Sequence, residues 1–343
     1  MTDVDLSELT NRQIVLARRP EGLVSRDDFD LVDGVVPEPA EGEAVVRTLC
    51  LGIDATVRTW LNKGEGYLPA VAIGEVVRCS GVGRTVASRS PKFPVGGLVY
   101  GLPGWQEYSL ARDDGLSTPI GTEGDPAAML SVLGATGLTA YFGLTEVGEA
   151  KAGETVVVSA AGGATGSAVV QIAKILGCRV VGIAGTDEKC AWVVDELGAD
   201  ACINYRTEDL PARLRELCPE RIDVYFDNVG GDILDAALGA LAQHGRVALC
   251  GAISVYNESG RPPGPSNYLN LISRRGKMQG FISLDWWDRF GEATEQLKTW
   301  VDEGKLHYRI HWFHGLRHAP EALNAMFTGE NVGKILIEVA KDE

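Results

Sequence analysis

Between residues 155 and 280 the chain alternates apolar, strand-like runs with helix-patterned segments without a break, and this order leaves few folds open. The runs are ETVVVSA, CRVVGIA, DACIN, RIDVYFDN, GRVALCGAI and KMQGFI, and between them stand AVVQIAKILG, EKCAWVVDELG, LPARLRELC and GGDILDAALGALAQHG. Strands that are apolar throughout need cover on both faces, and recurring helices supply it. In the first helix Val169, Ile172, Ala173 and Leu176 make one stripe, and Gly177 is placed to end it. The expectation is an α/β fold built on a doubly wound parallel sheet. The text before about residue 120 differs: GEAVVRTLCLGID, EVVRCSGVGRTVASR and GGLVYGL are short Val-rich runs bounded by Gly or charge, which reads as β-rich. Strand-like text returns in KLHYRIHWF and GKILIEVA, after the helix RFGEATEQLKTWVDEG. A β-rich domain split by an insertion is expected, with segments 1–133, 134–305 and 306–343.

Composition removes several partners. With 47 acidic against 32 basic side chains the net charge is -15, which repels phosphate backbones, and no stretch interleaves Lys and Arg with aromatics. No nucleic acid is expected. Every apolar run falls short of the roughly 20 residues of a membrane-spanning helix, and MTDVDLSELTNRQ lacks the basic-then-apolar order of a secretory signal. A soluble, cytoplasmic protein is expected. The seven cysteines are odd in number, never closer than 12 residues, and form no Cys-x-x-Cys. Free thiols fit this better than a disulfide framework or a zinc knuckle.

The segment SAAGGATGSAVVQIAKILG follows the first strand of the alternating region, and Ala161, Gly163 and Gly166 fill the positions of a Gly-x-Gly-x-x-Gly fingerprint. Small residues there allow a tight turn, close approach of a pyrophosphate, and close helix–strand packing. The phosphates would sit at the helix N-terminus. In a chain with 42 glycines such a pattern can be an ordinary turn, but here it opens the first helix of a βαβ run. An NAD site wants a carboxylate about 20 residues further on. This chain has Ala184-Gly185-Thr186, then Lys189, with Tyr205 and Arg206 after the third strand. Room for a 2′-phosphate and cations to bind it point to NADPH. Asp187, at the start of a helix, is read as serving the cap and the dipole. Lys189 by itself would be an ordinary solvated helix residue.

These motifs, with INYRTEDL, YFDNVGGDILD, RVALCGAISVYN, NLI, MQGFI, WVDEGKL and GENVGKILI, closely resemble the zinc-independent medium-chain dehydrogenase/reductases. More narrowly the chain resembles the branch of leukotriene B4 12-hydroxydehydrogenases (prostaglandin reductases), plant alkenal double-bond reductases and bacterial curcumin-type reductases, from about residue 44 to 340. The resemblance implies a GroES-like β-rich catalytic domain and a Rossmann domain, usually as a homodimer. It implies NADPH-dependent reduction of the carbon–carbon double bond of an enal or enone. Matched residue by residue, the dinucleotide contacts fall on Gly163, Ala164, Thr165, Gly166, Lys189, Tyr205 and Asn228. They continue on Cys250, Gly251, Ala252, Ile253, Ser254, Val255 and Tyr256, on Phe281, Ile282 and Ser283, and on Asn331.

The zinc members of that superfamily carry a catalytic Cys, a Gly-His-Glu and a four-cysteine lobe. Around Gly52-Ile53-Asp54 there is no cysteine at the expected place, Gly74-Glu75 lacks the His, and Cys79 stands alone. No metal is expected, and an alcohol oxidation that needs a Lewis acid is disfavoured. The substrate half departs from the branch. Its Asp-Pro-Tyr-Met-Arg reads Asp54-Ala55-Thr56-Val57-Arg58, and its Gly-Asp reads Gly96-Gly97. Thr56 and Tyr67 are the pocket candidates by family position.

Hydride addition to an enone builds charge on the carbonyl oxygen, so a donor is needed there and a proton at the α-carbon. Tyr256 is the candidate donor, since a phenol of ordinary pKa ~10 carries its proton at neutral pH. The alternatives are a tyrosine that only lines the pocket, and a proton delivered by water or the ribose hydroxyl. Quinone reduction, or NADPH binding without turnover, are the competing functions. His307, His311, His314 and His318 lie close in sequence, but Leu306, Tyr308, Ile310 and Trp312 alternate with His307, Arg309 and His311 as in a strand with one buried face, which disperses the imidazoles.

Overall fold

The computed structural model describes residues 5–64, 66–258, 260 and 262–342. Among these the chain forms two units, Met1–Leu130 with Ile310–Glu343, and Ser131–Arg309. The divisions fall a few residues from 133/134 and 305/306.

The first unit carries β1 (Thr10–Leu16), β2 (Phe29–Val35), β3 (Ala44–Ile53), β4 (Ser80–Ser88), β5 (Leu98–Gly101), β6 (Tyr108–Ala111) and β7 (Thr118–Pro119). The second carries β8 (Thr155–Ser159), β9 (Arg179–Ala184), β10 (Ala201–Asn204), β11 (Ile222–Asp227), β12 (Leu241–Leu249) and β13 (Lys277–Gly280). The chain then gives β14 (Ile310–His314) and β15 (Lys334–Glu338) back to the first unit. In that unit β1 and β2 pair antiparallel, and a second sheet runs β14-β15-β3-β4-β5-β7 with β6 also on β3. The ten-residue β3 is buried at all but one position, as suits a strand with partners on both sides. Trp105 is fully buried against Phe29, ring centroids 5.3 Å apart, in the core that also holds Leu51, Ile53 and Trp60. This is the GroES-like, β-rich half.

Lys334 is a costly group among the charged residues that this unit buries. Lys334 opens β15 with its side chain 2% exposed, paired with Asp54 at the end of β3. A buried ammonium is tolerated only with such a partner.

The six strands of the second unit are all parallel, in the order β10-β9-β8-β11-β12-β13. In chain order this is 3-2-1-4-5-6, the Rossmann arrangement, whose order reverses between β8 and β11. Apolar text in β8, β9 and β11 is buried because helices cover both faces. The helix Ala164–Ile175 is buried on every side from Gly166 to Ala173, so the stripe read from the sequence is too narrow. It lies beneath the helix Ala135–Phe142 as well as on the sheet. Its buried Gln171 is satisfied locally, donating to the carbonyls of Ser167 and His307 (both 2.9 Å) and accepting from His307 N (2.7 Å). Gly177 ends this helix region with φ +81°.

Two sequence expectations need correction. The helix expected through GALAQHG stops at Gly239, and Leu241–Leu249 is strand. Leu241 and Ala242 suit a helix stripe and a strand equally, but Leu241 pairs with Ile222 of β11 and is fully buried in the sheet core. Pairing in KLHYRIHWF begins only at Ile310, and Trp312 is 42% exposed. The cause is position: β14 is an edge strand, and neither of its faces is fully covered. Among the described residues no helix is long and apolar enough to cross a membrane.

Removing the Asp54 carboxylate takes an ion-pair partner from the buried Lys334 ammonium. Asp54→Ala should lower the unfolding free energy by about 3 kcal/mol in urea titration. Asp54→Leu with Lys334→Met should regain most of the loss. A loss below about 1 kcal/mol for the single variant would show the pair to be dispensable.

Candidate functional site

The parallel sheet aims the carboxyl ends of β8 to β13 the same way, so the loops that follow them share one edge. After β8 the chain turns through Ala160 to Gly163 into the helix Ala164–Ile175. Gly163 is the N-cap and offers no side-chain acceptor. The N–H groups of the first turn therefore have no partner within the helix and favour an anion. A Cβ on Gly166 would stand 2.2 Å from the Ala160 carbonyl oxygen, so only glycine closes this turn. A Cβ on Gly162 would meet the stem of Lys189 at 3.1–3.3 Å, which puts that lysine over the glycine turn.

At the end of β9 the Gly185 backbone is crowded from the other side. A Cβ there would come within 3.4 Å of the Tyr205 hydroxyl and of Arg206 Nε. The Arg206 guanidinium lies 5.9 Å from the Tyr205 ring centroid. Lys189 is half-buried, and burial first, then the neighbouring Arg206, push its ammonium below the usual lysine range. Two cations held this close oppose one another, and a bound anion would relieve both. Thr186, not Asp187, caps the helix Asp187–Asp195, accepting from Lys189 N at 3.2 Å. Asp187 instead accepts from Asn204 Nδ2 at 2.6 Å, which ties its carboxylate toward β10.

At the point where the strand order reverses, Asn228 donates through its backbone N to Ser159 Oγ (2.8 Å) and through Nδ2 to the Ser159 carbonyl (2.7 Å). Asp227 lies beneath, fully buried, and its Oδ1 accepts from the Tyr225 hydroxyl (2.9 Å), Ser159 Oγ (3.2 Å) and the N–H groups of Val229 and Gly230 (both 3.0 Å). Burial holds this carboxyl above the usual carboxylate range, and the four hydrogen bonds oppose that shift. The Asp227 carbonyl accepts from the N–H groups of Cys250 (2.9 Å) and Gly251 (3.0 Å). Ser254 completes the join, its Oγ donating to the Val229 carbonyl at 2.6 Å. The loops after β11 and β12 are thus one piece.

Within that piece Ile253–Val255 make a single 3-10 turn, and the Tyr256 hydroxyl accepts from Ala252 N at 3.0 Å. The phenol is folded back on its own loop. The Cys250 thiol is pushed up to about 12, by burial first and by Asp227 second. Phe281, after β13, packs edge-on to Phe226 with centroids 6.0 Å apart. Ile282 N donates to Asp285 Oδ2 at 3.2 Å, and Ser283 opens a 3-10 segment.

The second unit thereby brings Gly163 to Gly166, Lys189, Tyr205, Asn228, Cys250 to Tyr256 and Phe281 to Ser283 to the carboxyl edge of one sheet. Thr56, Tyr67 and Asn331 belong to the first unit. There the Thr56 and Tyr67 hydroxyls are 2.7 Å apart, and the side-chain amide of buried Asn331 donates to the Gly333 carbonyl at 2.9 Å. Ser159, Thr186 and Asp227 are functional supports that the sequence reading missed. Asp227 left one trace, an acid closing the otherwise apolar run RIDVYFD. His314 Nδ1 lies 2.7 Å from Glu338 Oε2, and among the described residues no three His, Cys, Asp or Glu side chains group as metal ligands.

Residues 12–118 match a family model described as the N-terminal domain of oxidoreductase, and residues 164–299 one described as zinc-binding dehydrogenase. The NADPH-dependent curcumin reductase of Escherichia coli is 39% identical over 338 residues, 97% of this chain and 98% of its own length. The 2-alkenal reductase (NADP(+)-dependent) of Nicotiana tabacum is 38% identical over 342 residues, covering 98% and 99%. The crystal structure of CurA in complex with NADPH from Vibrio vulnificus matches with a TM-score of 0.92 at 39% identity, over 96% of this chain and 100% of that one. The chain belongs to the zinc-independent medium-chain dehydrogenase/reductases, in the branch of the curcumin, 2-alkenal and prostaglandin reductases.

Proposed function

We propose that this chain is an NADPH-dependent oxidoreductase that reduces the carbon–carbon double bond of α,β-unsaturated aldehydes and ketones without zinc. The observation that carries the cofactor is the end of β9, where Arg206 and Tyr205 crowd Gly185 while Lys189, within the field of Arg206, lies over Gly162. The residues present fit NADPH: a Cβ would be crowded at Gly162, Gly163 and above all Gly166 of the turn, and the cation pair suits a 2′-phosphate. Membership of a branch named for alkenal and curcumin reduction supports the substrate class.

When bound, NADPH supplies the hydride that adds to the β-carbon. The first-turn N–H groups from Gly163 to Gly166 hold the pyrophosphate, and Lys189, Tyr205 and Arg206 hold the 2′-phosphate. Asn228, the loop Cys250 to Tyr256 and Phe281 to Ser283 complete the cofactor contacts of this unit. Tyr256 donates a hydrogen bond to the carbonyl oxygen as negative charge builds there. Its hydroxyl already accepts from Ala252 N, and an oxygen that accepts becomes a better donor. Thr56 and Tyr67 contact the substrate, and threonine in place of the branch's tyrosine reshapes that wall.

The protein works in the cytosol, where NADPH is available and the free thiols stay reduced. It pairs as a homodimer through the β13 edge of the parallel sheet; in the segment that leads into β13, Tyr268, Leu269 and Ile272 are 53%, 58% and 74% exposed. Light scattering should read the mass of two chains, and Ile272→Asp should bring it to one. A single-chain mass for the unaltered protein would contradict the dimer.

Two variants separate binding from turnover. Lys189→Ala should weaken NADPH binding roughly 10- to 100-fold while NADH affinity changes less than about twofold, read by fluorescence titration. Equal losses for both would remove Lys189 from the 2′-phosphate. Tyr256→Phe should lower kcat for an enone about 100-fold with NADPH affinity kept. Unchanged turnover would take Tyr256 out of the mechanism.

A further inference from the structure

A buried amide joins the start of the helix that carries Lys189 to the loop that carries Arg206. Asn204 closes β10 opposite Ala184 of β9, and it is 5% exposed. Its side chain works at both ends: Oδ1 accepts from Arg206 N at 3.2 Å, and Nδ2 donates to Asp187 Oδ1 at 2.6 Å. The backbone on which it stands is fixed as well. Asn204 N donates to Glu208 Oε1 (2.8 Å), and the Asn204 carbonyl accepts from the N–H groups of Thr207 (3.1 Å) and Glu208 (3.0 Å). The bond from Arg206 N orients the amide so that its donor faces Asp187. A carboxylate of the same size would offer acceptors at both ends and could not hold Asp187.

The carboxylate so held is badly placed for a 2′-phosphate. Asp187 is exposed, two residues past Gly185 and two before Lys189. The helix N-terminus does not restrain it, because Thr186 supplies the cap to Lys189 N. In NAD sites an acid near the end of this strand accepts from the ribose 2′-hydroxyl. A released Asp187 would suit that hydroxyl and repel a phosphate in its place.

We propose that Asn204 is a positioning residue for cofactor choice, which secures the preference for NADPH over NADH by holding the Asp187 carboxylate toward β10. The inference rests on the reading of Lys189, Tyr205 and Arg206 as the 2′-phosphate site. It adds that the acid next to that site is disarmed by a neighbouring strand rather than absent.

The test is fluorescence titration of the full chain with NADPH and with NADH, for the unaltered protein, Asn204→Ala, Asp187→Asn and the double variant. Asn204→Ala should weaken NADPH binding about tenfold while NADH affinity stays within about twofold, because only the phosphate is repelled. Adding Asp187→Asn should return NADPH affinity to within about threefold of the unaltered chain, since the charge is gone although the hydrogen bond is still missing. Should Asn204→Ala fail to fold, Asn204→Asp keeps the size and the acceptor for Arg206 N and removes only the donor. It should show the same selective loss and the same recovery with Asp187→Asn. Unchanged NADPH affinity in the Asn204 variants, equal losses for both cofactors, or a loss that Asp187→Asn does not restore would each overturn the proposal. An unaltered chain that binds NADPH no more tightly than NADH would overturn the 2′-phosphate site itself.

Discussion

The buried carboxylate of Asp227 is the interaction on which the candidate site depends. It closes β11 at the reversal of strand order, and one of its oxygens gathers four donors from β8, β11 and the following loop. Its backbone carbonyl gathers two more from the loop after β12. Three strand ends and two loops are thereby fixed to one residue. Its second carboxylate oxygen is buried with no hydrogen-bond partner, so the site carries a desolvation cost. That cost is the counterpart of holding Asn228 and the Cys250 to Tyr256 loop in one arrangement before any ligand arrives, which is what preorganisation requires.

Charge works at a different scale. The whole chain, at -15, repels an anionic cofactor. In the proposed reading recognition is therefore local, from a helix N-terminus and from a half-buried lysine in the field of an arginine. Placing cations together destabilises the empty site slightly and makes it selective for a ligand with an extra phosphate at that point. The engagement of Asp187 by Asn204 serves the same end, since it ties that carboxylate toward β10.

The sequence was most legible where physical constraint was strongest. Strands buried on both faces can be little but apolar, so β8, β9 and β11 stood out, and the phosphate turn tolerates only small residues. Lys189 and Tyr205 could be singled out because the missing acid after β9 gave them a purpose. Legibility failed where two structures fit one pattern. Leu241-Ala242 continues a helix stripe and also starts a strand, and only the pairing with Ile222 decides it. Trp312 resembles a core residue until its strand is known to be an edge. The Ser159 hydrogen bond to Asp227 and the N–H groups of Cys250 and Gly251 on its carbonyl are long-range contacts, and no local spacing encodes them.

The central claim is that this chain delivers hydride to carbon at the far end of a conjugated double bond. The most direct measurement uses NADPH deuterated at the transferred position with a 2-alkenal, and locates the deuterium in the product by NMR. The account predicts deuterium on the β-carbon of the saturated aldehyde. Deuterium on the former carbonyl carbon of an allylic alcohol would contradict it.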